Sequence, residues 1–133
     1  MTNILYMAWR NSSTDTPFNF ADLKTKHGNP ATASPSSLAA GGSSTVEAEQ
    51  STNITPGAQG SYSWESVDLK ESVKCDYHFP AGSPPQTVTI TLNPSGGAQV
   101  SRDGTNWTSS NLPLSWTANT KEFTVQLYIK DKS

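Results

Sequence analysis

Two histidines, one cysteine and a pair of glutamates are the residues whose types could support catalysis or metal binding. His27 and His78 stand far apart, and Cys75 lies three residues before His78. A Cys/His pair suits a metal or nucleophile site. On an extended strand, however, residues three apart point to opposite faces, so Cys75 is expected inward as a small hydrophobe and His78 outward. Glu47 and Glu49 share one strand face, as paired carboxylates do in some glycosidases, but they read as neighbouring surface carboxylates. Gly41-Gly42-Ser43-Ser44 lacks the lysine and strand context of a phosphate loop, and no Gly-x-Ser-x-Gly or His-Glu-x-x-His occurs. These residues point to no catalytic group, no metal site and no cofactor. Binding is the expected activity.

The aromatic residues suit binding better. The chain has four each of Trp, Tyr and Phe, and Trp9, Trp64, Trp107 and Trp116 exceed what a small core needs. At least one is expected at the surface, where Trp and Tyr suit lipid head-group interfaces or stacking on sugars. Tyr62 and Trp64 are spaced i, i+2 and share a sheet face. If that face is inward, Trp64 stiffens a site from behind; if outward, it touches the ligand.

The elements that position these residues are strands. Val73, Cys75, Tyr77 and Phe79 alternate with Lys74, Asp76 and His78, the period of a half-buried strand. Val88, Ile90 and Leu92 alternate with threonines, and Phe123, Val125, Leu127 and Ile129 with Thr124, Gln126 and Tyr128. Weaker candidates lie at 4–10, 17–25, 45–50, 61–66, 98–102 and 112–117, for a total of about nine short strands. Turn residues separate them at Gly28-Asn29-Pro30, Gly41-Gly42, Pro56-Gly57, Pro84-Pro85, Asn93-Pro94-Ser95-Gly96-Gly97 and Asp103-Gly104. Asp103-Gly104 reads as a tight hairpin turn. The Ala, Ser, Pro and Gly stretch at 29–44 reads as a long surface loop or an irregular edge. Thr87 to Leu92 is expected to be too short for a membrane-spanning strand, closed by Pro84-Pro85 and Asn93-Pro94. The pattern predicts an all-β chain, a single antiparallel β-sandwich domain over 1–133, with Tyr77, Phe79, Val88, Ile90, Val125 and Leu127 in the core.

Composition narrows the partners. Nine Lys and Arg against eleven Asp and Glu give a formal net charge of −2, and the basic residues are scattered. Nucleic acid is therefore not an expected partner, since phosphate binding needs a basic stripe. The N-terminal apolar run, Ile4 to Trp9, has no basic region before it and reads as neither a secretory signal nor a membrane span. Synthesis in the cytoplasm is the expectation.

Several segments together resemble the aegerolysin family, small acidic β-sandwich proteins of fungi and bacteria. They are Ile4 to Arg10 with the polar turn Asn11-Ser12-Ser13, then Asp22-Leu23-Lys24-Thr25-Lys26-His27-Gly28. Next come Gly57-Ala58-Gln59-Gly60-Ser61-Tyr62 and Tyr77-His78-Phe79-Pro80-Ala81-Gly82-Ser83. The last is the strand Glu122 to Ile129 with Lys130 and Lys132 behind it. The resemblance implies a protein that recognises membrane lipid, a sphingolipid-like head group among the candidates. It also implies release to act on target-cell membranes beside a larger pore-forming partner, as the targeting component of a two-component haemolytic or insecticidal toxin. It places ligand contacts at His27, Gly28, Tyr62, Trp64, Tyr77, His78, Phe79, Pro80, Gly82 and Ser83. Two departures bear on specificity: His27 and Ala81 stand where lipid-facing tryptophans of fungal members would be. A different class also fits the strand pattern, an Ig-like module of an adhesin or phage structure that binds protein or carbohydrate.

Overall fold

Alternation along each strand sorts side chains into a buried and an outward row, and the buried rows build the molecule. The computed structural model describes residues 2–51 and 57–132, so the start of the turn expected at Pro56 lies outside the described residues. The strands are β1 (Ile4–Asn11), β2 (Phe18–His27), β3 (Thr32–Ser34), β4 (Ser37–Leu38), β5 (Ser43–Glu49), β6 (Gly57–Ser66), β7 (Ser72–Pro80), β8 (Gln86–Ser95), β9 (Gln99–Ser101), β10 (Leu112–Ala118) and β11 (Glu122–Lys130). Among the described residues there is no helix. One sheet has the order β3-β5-β1-β11-β9 and the other β10-β8-β7-β6-β2-β4. The chain is thus an all-β two-sheet sandwich of eleven strands.

Two of the eleven, β3 and β4, fall in the stretch expected to be a loop or an irregular edge, and it is an edge that forms. Each is too short to show alternation, and each pairs only at a sheet edge, Ala33 opposite Val46 and Leu38 opposite Phe18. Leu38 is nevertheless fully buried, as is Phe18. A second difference lies in β8, which continues through Asn93-Pro94 to a length of ten residues. Pro94 pairs with Val73 on β7, while the pairing with β10 stops at Leu92. Beyond Leu92 that side of β8 is an edge, where a missing N–H costs little. The expected Asp103-Gly104 hairpin is an irregular loop instead: β9 pairs with β11, and only a single bridge joins Val100 to Thr108.

Strand pairing is antiparallel except between β1 and β11, which run parallel from Ile4 opposite Glu122 to Asn11 opposite Ile129. Between the sheets lie Leu5, Met7 and Trp9 from β1, Val125, Leu127 and Ile129 from β11, and Val73, Cys75, Tyr77 and Phe79 from β7. Val88, Ile90 and Leu92 complete the facing row. All six residues predicted for the core are there, and Cys75 is inward. Each fully buried Leu or Ile contributes about 1.5–3 kcal/mol relative to exposure.

Candidate binding site

A layer of packed aromatic rings supports the six-stranded sheet from within. Trp9 and Trp64 meet edge-on with centroids 6.3 Å apart, and Phe20 lies 5.1 Å from Tyr62 and 5.6 Å from Trp64. The Trp9 Nε1–H donates to the Tyr62 hydroxyl at 2.7 Å. Tyr62, Trp64 and Phe79 are fully buried, so their face is the core, and they stiffen the sheet from behind. Trp107 and Trp116 are half-buried under cations, Lys130 Nζ at 4.5 Å from the Trp107 ring centre and the Arg102 guanidinium carbon at 5.3 Å from that of Trp116. Among the described residues the exposed large apolar side chains are aliphatic: Leu23, Val67 and Leu69.

On the outer face of the same sheet the strand registers set polar side chains in two rows. One row is His27, Gln59, His78 and Thr89; the other is Lys24, Ser61, Asp76 and Thr91. Directly opposed side chains on neighbouring strands have Cβ atoms about 4.5–5.5 Å apart, so each row is a continuous polar surface. Strand β2 is irregular here, with register shifts between Ala21 and Lys24 and between Thr25 and His27, and Asp22 in the left-handed region at φ 53°. Such bulges bend a strand and re-aim its side chains. The result is a concavity of about 490 Å³ whose lining includes Lys24, Thr25 and Lys26 from β2, Gln59, Gly60 and Ser61 from β6, Asp76, Tyr77 and His78 from β7, and Thr89 and Thr91 from β8.

Gly60 makes the floor possible. A Cβ there would sit 2.5 Å from the Lys24 carbonyl oxygen and 2.7 Å from the Tyr77 hydroxyl. Tyr77 is only 2% exposed, and burial, with Cys75 adding, pushes its phenol up to about 12. Among the described residues neither the Tyr77 hydroxyl nor His78 Nε2 has a hydrogen-bond partner, although both atoms are buried. The Asp76 carboxylate accepts from Asn93 Nδ2 at 3.0 Å and lies 3.9 Å from Lys74 Nζ. That ion pair is about half exposed, and pairs of this kind contribute about 0–1 kcal/mol. It orients Asp76 more than it stabilises the fold.

The residues expected to contact a ligand divide among three places. Tyr77 and His78 line the concavity, and His27 sits at its border opposite Gln59. Tyr62, Trp64 and Phe79 lie behind it in the core. Gly28, Pro80, Gly82 and Ser83 gather at one end of the sandwich, where Asn3 Nδ2 donates to the Pro80 carbonyl at 2.7 Å and to that of Gly82 at 3.3 Å. Gly28, at φ 88°, lets the chain pass close to the Glu49 and Gly57 carbonyls. Sequence reasoning did not reach Lys24, Lys26, Gln59, Ser61, Asp76, Thr89 and Thr91 as site residues. Alternation marks most of them as outward, but only strand order shows that they are neighbours. Among the described residues no three His, Cys, Asp or Glu side chains come together to hold a metal.

Fold and concavity define a two-sheet β-sandwich with a polar site on its outer face. No family model matches the chain, and no curated protein matches it. Among solved structures it is similar to IP-1A from Alcaligenes faecalis, with a TM-score of 0.61 over 98% of this chain and 92% of that one. The two share 13% sequence identity, a level at which the likeness shows the β-sandwich fold alone.

Proposed function

We propose that the protein recognises the polar head groups of a membrane through the outer-face concavity, as the targeting component of a pore-forming system completed by a larger partner. The observation that carries this reading is the concavity itself. It joins basic, acidic, hydroxyl and amide side chains from four adjacent strands on a rigid aromatic support. Ligand sites are usually pre-formed clefts of about 300–1,000 Å³ in which a few polar groups fix orientation within a mainly apolar lining; this cleft has that size and is richer in polar groups. The segment resemblance to aegerolysins and the sandwich fold shared with IP-1A are consistent with it.

The test is co-sedimentation with liposomes of varied head-group composition. Wild-type protein is expected to pellet with a subset of compositions, and His78→Ala to reduce the bound fraction at least tenfold while β-sheet circular dichroism stays unchanged. Dye release is expected only once a second protein is added. Failure to pellet with any composition would overturn the membrane reading. A second reading, a module binding protein or carbohydrate, is favoured by one feature: the tryptophans are buried or capped by cations, leaving no exposed aromatic anchor among the described residues.

A further inference from the structure

The lining of the outer-face concavity also specifies a ligand chemistry, an inference that rests on the site reading above and deepens it. We propose that the site binds a carboxylated saccharide, its carboxylate towards Lys24 and Lys26 and its hydroxyls towards Asp76, His78, Thr89 and Thr91. Charge is unevenly distributed across the cleft: both lysines come from β2, while the Asp76 carboxylate stands two strands away on β7 and threonine hydroxyls follow on β8. An anion is therefore favoured at one side and hydrogen-bond donors at the other.

Simpler ligands match less of this surface. An inorganic anion would leave most of the 490 Å³ unfilled and would meet the like charge of Asp76. A quaternary ammonium head group calls for an aromatic cage, but Tyr77, the one phenol ring in the lining, is 2% exposed. An acyl chain needs continuous apolar walls, and every side chain lining this cleft ends in a hydroxyl, amide, imidazole or charged group. Vicinal sugar hydroxyls each donate and accept, so they can serve Asp76 and Thr91 along one row and Gln59 and Thr89 along the other. Among the described residues the buried His78 Nε2 has no partner, and it is a further polar atom beside the cleft for a ligand to satisfy.

The carboxylated sugar could be free or part of a glycolipid, and calorimetric titration of the full chain separates the sources. N-acetylneuraminate and glucuronate are expected to bind at least tenfold more tightly than glucose, with inorganic phosphate weaker still. Added salt is expected to narrow the gap, because exposed charges are screened. The Lys24→Gln/Lys26→Gln double variant is expected to lose the preference for acid over neutral sugar. Ser61→Leu, which fills the cleft, is expected to abolish binding, and the more exposed Thr91→Val serves as the second variant if Ser61→Leu does not fold. Equal binding of glucose and glucuronate, tightest binding of phosphate, or unchanged binding in folded Thr91→Val would each overturn the proposal. Vesicles with and without a sialylated glycolipid separate this inference from the membrane reading. Binding to both vesicle types without binding of any acidic sugar sinks the inference alone; binding of free acidic sugar without vesicle capture sinks the membrane reading alone.

Discussion

Trp64 and His78 act on the same sheet from opposite sides, and substitution should separate their roles. Trp64 is fully buried between Trp9 and Phe20, so Trp64→Ala leaves a cavity and is expected to cost about 3–5 kcal/mol in chemical denaturation. Any loss of binding in that variant would follow from lost structure. His78 points outward, and its replacement by Ala is expected to move stability by no more than about 0.5 kcal/mol. Tyr62→Phe removes the acceptor of the Trp9 indole N–H; a buried donor left unpaired costs about 1–3 kcal/mol, read from the same denaturation midpoint. The sequence already placed His78 outward, because β7 alternates cleanly from Val73 to Phe79. Lys24 and Lys26 were less legible. The two register shifts in β2 break its phase, and its burial pattern shows no alternation from Ala21 to His27.

Turns show how closely neighbouring strands constrain one another. Gly96, in the turn from β8 to β9, has φ 72°, and a Cβ there would run into the Lys70 carbonyl. Gly41 has a similar φ of 74° but open space around it. Gly41→Ala is therefore expected to cost about 1–2 kcal/mol from the left-handed backbone alone, and Gly96→Ala clearly more, a difference thermal unfolding of the pair would measure. Strands β7, β8 and β11 could be read from the sequence because apolar positions recur at period two over five to seven residues. Strands β3 and β4 could not, since two or three residues of Thr, Ala, Ser and Leu show no period. Nor could the parallel pairing of β1 with β11 be read, because apolar alternation identifies a strand's inner face but not its neighbour. The outer-face site was hidden for the same reason: it belongs to four strands at once.

For the molecule as a whole, buried phenols and a buried thiol set the alkaline limit of stability, and hydrogen-bonded surface carboxylates the acidic one. Burial raises Tyr62 well above its ordinary value of 10.0, and pushes Tyr77 and Cys75 up to about 12 from 10.0 and 9.0. These groups hold protons more tightly folded than unfolded, so their contribution is complete below about pH 9 and is lost as pH rises towards 12. Asp103 shifts the opposite way. The Asn106 and Thr105 backbone N–H groups both donate to it, and its carboxyl is held below 3.8. Asp68, bonded to the Ser66 hydroxyl, is lowered too. Their contribution is present above about pH 4 and lost below it. The melting temperature is expected to form a plateau between about pH 4 and 9 and to fall on both sides; a single maximum near pH 7 with no alkaline limb would contradict this account. The parallel pairing of β1 with β11 also orders events in time. In order of synthesis, every strand of the six-stranded sheet is complete by Ala118, whereas β1 and β9 must wait for Glu122–Lys130 to come between them. Until then β1 presents an unpaired edge, a template for association with other chains. Released chains truncated before Glu122 should therefore be more prone to aggregate than released chains that include Lys130.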